Sequence, residues 1–267
     1  MTIYEMFRKG VFKVIDIHSH ILPGVDDGAK TEEDSIAMAE EAVQQGIHTI
    51  TATPHHLNGV FENIKPAIEK SVTILQELFV QENIPLTVLP GQEIRLNGNM
   101  IEDIENGELL TLNNSKYIFV EFPTQDVPHY ADQMMYNLQM NRCKPIIVHP
   151  ERNEELLDNP QKLYDFVQKG ALTQLTAGSL LGKFGKTIRK FSQQMIEANL
   201  THFIASDAHN TTSRGFCMQE AFHEVKDRFG IDFYYVFMEN SQLAINNQNV
   251  NKMEPMHVKK KKFFGMF

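Results

Sequence analysis

A chain of 267 residues, 42% hydrophobic and 22% charged, can bury a large core and is too rich in apolar residues to be disordered. Its net charge of −9 argues against a general nucleic-acid surface, so any anionic substrate has to be attracted by something local, and bound cations are the obvious means. Two cysteines, Cys143 and Cys217, are too few for a disulfide framework; with neither an apolar secretory segment nor a run of roughly 18 apolar residues, they lead us to expect a cytoplasmic protein.

Residues 1–13 read as a short extension. The first apolar run, VIDIHSHI, starts at Val14 and gives way to LPGVDDG. A helical pattern follows, TEEDSIAMAEEAVQQG, in which Thr31 is the expected N-cap, Asp34 its capping-box partner and Gly46 the stop. Six further strand candidates come in order: IHTITATPHH, PLTVLPGQEI, KYIFVEFP, KPIIVHPER, ALTQLTAGS and THFIASDAHN. They alternate with helical patterns, which predicts βα units around a parallel sheet or barrel. No repeat or linker divides residues 14–250, so these read as one domain. Residues 251–267 read as a tail whose end, HVKKKKFFGMF, suits a solvated terminus, a peripheral contact with an anionic membrane, or docking to a partner.

Nearly every strand candidate ends in ionisable residues: His18 and His20, His55 and His56, Glu93, Glu121, His149, then Asp207 and His209. In a (β/α) barrel the carboxyl ends of the strands form one rim, so donors scattered along the chain would converge there. His18 and His20 flank one residue, and the two-residue period of a strand points both side chains the same way, toward one ion. Imidazoles and carboxylates in this mixture are metal ligands by type. Cysteine chemistry fails: a phosphate-cradling loop needs an arginine after five intervening residues, where Cys143 and Cys217 have His149 and His223. Walker A, GxSxG and GxGxxG patterns are absent.

The ordered segments DIHSHILPGVDDG, TATPHH, PGQEI, VEFP, VHPER and ASDAHN resemble the PHP (polymerase and histidinol phosphatase) superfamily. More narrowly they resemble the manganese-dependent protein-tyrosine phosphatases of Gram-positive capsule and exopolysaccharide clusters, the CpsB/CapC family. The resemblance implies an α/β fold, a PHP-type distorted (β/α)7 TIM-like barrel. It implies two or three Mn2+ ions, with iron or zinc as alternative occupants. His18, His20, Glu93 and Asp207 would hold one ion; Glu93, Glu121 and His149 a second; Asp27, His55 and His209 a third. Asp26 could replace Asp27, and Asp16 and His56 are left to supporting roles. Arg152 and Arg214 would contact the substrate phosphate. The implied reaction is phosphotyrosine hydrolysis by a metal-activated water, with a bacterial tyrosine autokinase as the phosphoprotein partner and capsule or exopolysaccharide synthesis as the process controlled. Hydrolysis of histidinol phosphate or another small phosphomonoester is the alternative; a non-catalytic metal-dependent binding module is a third reading, against which the complete ligand set speaks.

Overall fold

The computed structural model describes residues 14–259. Among these residues nine short strands, all paired in parallel, lie in two sheets. The smaller holds β1 (Val14–Ser19), β2 (Ile47–Ala52) and β4 (Thr87–Pro90). The larger runs in the order β3 (His55–His56), β5 (Glu93–Arg95), β6 (Tyr117–Glu121), β7 (Lys144–Val148), β8 (Leu172–Thr176) and β9 (Phe203–Ala205). Two sequence-predicted strands are therefore each broken in two. IHTITATPHH splits into β2 and β3 around Pro54, which cannot donate to a ladder, and PLTVLPGQEI splits into β4 and β5 at Gly91. A Cβ on Gly91 would stand 2.7 Å from the Thr51 Cγ2, so the chain bends there at a contact that only glycine permits.

The ends of the sheet meet. Asp207 N donates to His18 O and His20 N to Ala208 O, both at 2.9 Å, so the segment after β9 pairs with the end of β1 and closes a barrel. Buried Asp16 ties this seam: its carboxylate accepts from Ser206 N at 3.0 Å, from the Ser206 hydroxyl and from His18 N at 3.3 Å. Burial nevertheless pushes its pKa up to about 6. Ile15, Ile17, Tyr117, Phe119, Ile146, Val148, Leu172 and Phe203 form one buried cluster, while the alternate residues Ile118, Val120, Ile147 and Ile204 pack with the helices. The inward positions change character at the strand ends: Tyr117 and Phe119 are followed by Glu121, and Phe203 and Ala205 by Asp207. The apolar plug thus carries a polar rim.

The helix Glu32–Gln44 has the expected cap: Asp34 N donates to Thr31 Oγ1 at 3.2 Å and Thr31 N donates back to Asp34 Oδ2 at 3.1 Å. Thr31→Ala should lower the unfolding free energy by about 1 kcal/mol, read from the denaturant midpoint at unchanged slope. Gly46 then takes φ +76, closing the helix through Gly46 N→Val43 O at 2.9 Å. The extension over 1–13 and the tail from Lys260 lie outside the described residues. The first part of the expected tail is laid on the domain: Met256 N donates to Ala198 O at 2.8 Å, and the His257 ring stacks on Tyr164 with centroids 4.0 Å apart. Among the described residues no helix is long and apolar enough to cross a membrane.

Candidate metal centre

Glu93, at the start of β5, is fully buried and lies at the middle of the rim. Its Oε2 is 3.3 Å from both His18 Nε2 and His20 Nε2 and 3.0 Å from His55 Nδ1. Its Oε1 is 2.6 Å from His149 Nε2. Asp207 Oδ1 approaches the same two histidine nitrogens at 3.5 and 3.4 Å, so His18, His20 and Asp207 form one group, while Glu93, expected with them, is grouped with His18 and His149 and with His55 and Glu121. Asp27 Oδ1 lies 3.4 Å from His55 Nε2 and 3.3 Å from His209 Nε2, and His20, expected in the first set, joins these three in one group.

The remaining set differs from the expected one. Glu121 falls with His55 and Glu93, whereas His149 falls with His18 and Glu93. The physical reason is Arg95, whose Nε and Nη2 donate to the two oxygens of Glu121 at 3.0 Å each and hold that carboxylate on the His55 side. His149, at φ +34, turns onto the far oxygen of Glu93 instead.

The tight loop GVDDG also separates its two aspartates. Asp26 is buried, with Oδ2 2.6 Å from His20 Nδ1 and accepting from His55 N at 3.1 Å, while Oδ1 accepts from Gly28 N at 2.9 Å. Both its oxygens are occupied, and it supports His20. Asp27 is half-exposed and turned toward His55 and His209. Gly28 makes this possible, because a Cβ there would meet His20 O at 2.0 Å. His56 joins none of these sets; its Nδ1 accepts from Asn63 N at 3.2 Å.

Whether the donors suit a cation can be read from what they lack. His18 Nε2, His20 Nε2, His55 Nδ1, His209 Nε2 and Glu93 Oε2 are buried and make no hydrogen bond. A buried polar atom left unpaired costs about 1–3 kcal/mol, so five of them in one cluster call for a shared partner. The other ring nitrogens are committed: His18 Nδ1 to Gln174 Oε1 at 2.9 Å, His20 Nδ1 to Asp26, and His209 Nδ1 to Asp207 O at 3.0 Å. Each of those acceptors takes N–H on Nδ1, so the neutral form of each ring presents its Nε2 lone pair to the cluster, the tautomer a metal needs.

The charges agree. Burial alone would raise the pKa of Glu93, but His55 and His18 reverse this and hold it well below the usual range. Asp207 is likewise depressed against its burial, by Arg152 and His18. Burial, aided by Arg152, lowers His149 to about 4, and burial, aided by His20, lowers His209 to about 4, so both imidazoles are neutral. Glu121 is raised to about 7 by burial and by Glu93.

Above the cluster opens a cavity of about 300 Å3 lined by polar His55, Glu121, His149 and Asp207 and by apolar Phe122 and Phe184, among others. Arg152 and Arg214 enter it together, each placing Nη2 on Asp207 Oδ2, at 2.6 and 3.0 Å. Three supporting residues escaped sequence reasoning. Arg95 stands two positions after Glu93, a strand period that could have flagged it, and Gln174 is a lone amide inside the apolar run LTQLT. Phe184 had no such signal beyond its glycine-rich surroundings.

The family model for capsular polysaccharide synthesis proteins, CpsB/CapC, matches residues 14–246. The tyrosine-protein phosphatase YwqE of Bacillus subtilis is 50% identical over 254 residues, which are 95% of this chain and 100% of that protein. A crystal structure from the pair YwqE of Bacillus subtilis and CpsB of Streptococcus pneumoniae, called unique metal-dependent tyrosine phosphatases, aligns at a TM-score of 0.90 with 50% identity, covering 92% of this chain and 100% of that one. The phosphotriesterase homology protein of Escherichia coli, 10% identical, shares the fold alone at a TM-score of 0.55 over 86% of this chain and 98% of its own. By the extent of these matches, the chain belongs to the CpsB/CapC family.

Proposed function

We propose that this protein is a metal-dependent protein-tyrosine phosphatase of capsule or exopolysaccharide synthesis, acting in the cytoplasm on the phosphotyrosines of a tyrosine autokinase. The observation that carries the reading is the group of buried, unbonded donor atoms around Glu93, set beneath a cavity that two arginines enter. In this reading His18, His20, Glu93 and Asp207 hold one ion, and Asp27, His55 and His209 another. Glu121 and His149 contribute on either side of Glu93, and manganese is the proposed occupant. Residues 14–250 form the catalytic domain.

Divalent cations held there supply Lewis-acid charge to the phosphoryl group and make hydroxide accessible near neutral pH. The chain's own residues do the rest. Arg152 and Arg214, pinned by one carboxylate oxygen, present planar donors to the phosphoryl oxygens without having to be ordered when substrate arrives. Gln174, Asp26 and the Asp207 carbonyl keep the imidazoles turned, and Arg95 keeps Glu121 ionisable against its burial. A tyrosyl phenolate, with a pKa of about 10, leaves without a strong general acid.

The test joins metal analysis of purified protein to a substrate panel of matched phosphotyrosine and phosphoserine peptides with histidinol phosphate. Two or three divalent ions per chain are expected, with preferred turnover of phosphotyrosine that chelation abolishes and Mn2+ restores. Full turnover by verified metal-free protein would overturn the metal reading. Preference for histidinol phosphate would replace the substrate.

A further inference from the structure

One wall of the cavity has no part in holding metal. Phe184 lines it, and the Arg152 Cζ stands 5.2 Å from the centroid of the Phe184 ring, within cation–π reach. The segment between the helices Ala177–Leu180 and Lys186–Glu197 is built to place this ring. Gly182 and Gly185, on either side of the Lys183–Phe184 pair, take φ +86 and +97, values that other residues rarely adopt. The turn is held by Lys183 N→Gly178 O at 2.9 Å and Gly185 N→Gly182 O at 3.0 Å. Gly178 lets the ring lie close to the short helix, since a Cβ there would already be 3.2 Å from Phe184 Cε2. Three glycines thus serve one aromatic side chain, which is only half-buried and keeps part of its surface open to the cavity.

We infer that Phe184 recognises the aromatic ring of the substrate and so determines preference for phosphotyrosine over phosphates of aliphatic alcohols. This rests on the tyrosine-phosphatase reading of the same site. A phosphoryl group bound by Arg152 carries its phenyl ring one ester bond away, and aromatic pairs meet at centroid separations of about 4.5–7 Å. The guanidinium that marks the phosphate side is itself 5.2 Å from Phe184, so a phenyl group attached to that phosphate reaches the same ring. A seryl phosphate offers no ring to meet it.

Leaving-group chemistry must be kept out of the test, so the probes are non-hydrolysable. Phenylphosphonate and methylphosphonate are measured as competitive inhibitors of the metal-loaded wild type and of Phe184→Ala, Phe184→Leu and Phe184→Tyr. In Phe184→Ala the inhibition constant of phenylphosphonate should rise about tenfold and that of methylphosphonate less than about twofold, the size of one lost aromatic contact. Phe184→Tyr should restore both. Phe184→Leu keeps the apolar bulk but lacks a ring face, and should resemble Ala in this ratio; it decides the matter if the Ala variant does not fold. Equal weakening of both inhibitors would reduce Phe184 to a support for Arg152, and no change in either would remove it from the site; each result overturns the inference. Failure of the underlying reading looks different, because the wild type would then not turn over phosphotyrosine peptides at all.

Discussion

Glu93→Ala is expected to lower kcat/KM for a phosphotyrosine peptide by at least about a hundredfold and to remove more than one metal ion per chain. No other carboxylate of the cluster faces so many imidazoles. One oxygen lies within 3.3 Å of His18, His20 and His55, and the other is 2.6 Å from His149. Asp27→Ala, by contrast, removes a half-exposed group whose Oδ1 faces only His55 and His209, and should release less metal. Elemental analysis and steady-state kinetics on the same preparation read both effects. A Glu93→Ala protein with its full metal complement and undiminished turnover would remove this residue from the centre of the site.

Arg152→Ala and Arg214→Ala should each cost about 2 to 4 kcal/mol of transition-state stabilisation while metal content stays unchanged, since neither arginine contributes a ligand atom. Substitution by Lys should recover only part, because an ammonium keeps the charge but not the two-pronged donor. Geometry adds a further expectation. Both guanidinia rest on the single oxygen Asp207 Oδ2, so their losses should not add; the double variant should fall short of the sum of the singles. Unchanged kcat/KM in both single variants would return the arginines to a purely structural role.

Much of this was legible in the sequence, for a physical reason. Parallel strands of a barrel end on one rim, so a run such as KYIFVE or THFIASD declares both its buried face and the donor at its mouth. Features that depend on how segments meet were not legible. Asp26 and Asp27 are adjacent and chemically identical, and only the fold of the loop over His20, which Gly28 permits, separates the residue that supports an imidazole from the one that faces the cluster. The association of Glu121 with His55 instead of His149 depends on Arg95, the register partner of Glu121 on the adjacent strand but far from it in sequence. The breaks at Pro54 and Gly91 were visible as residues, yet their effect, a shift of the chain from one sheet to the other, is a property of the closed barrel.

The seam between β1 and β9 bears on how the protein acquires its site. Donors come from the first strand and from the segment just past the last, and the bonds that bring them together, Asp207 N→His18 O and His20 N→Ala208 O, span about three quarters of the described residues. A growing polypeptide therefore lacks part of the proposed ligand set until the segment after β9 has been made and has docked. Closing so long a loop costs chain entropy. In the proposed reading, an ion held by donors from both sides of the seam would add its binding free energy to the closed barrel, and so would act as a latch across it.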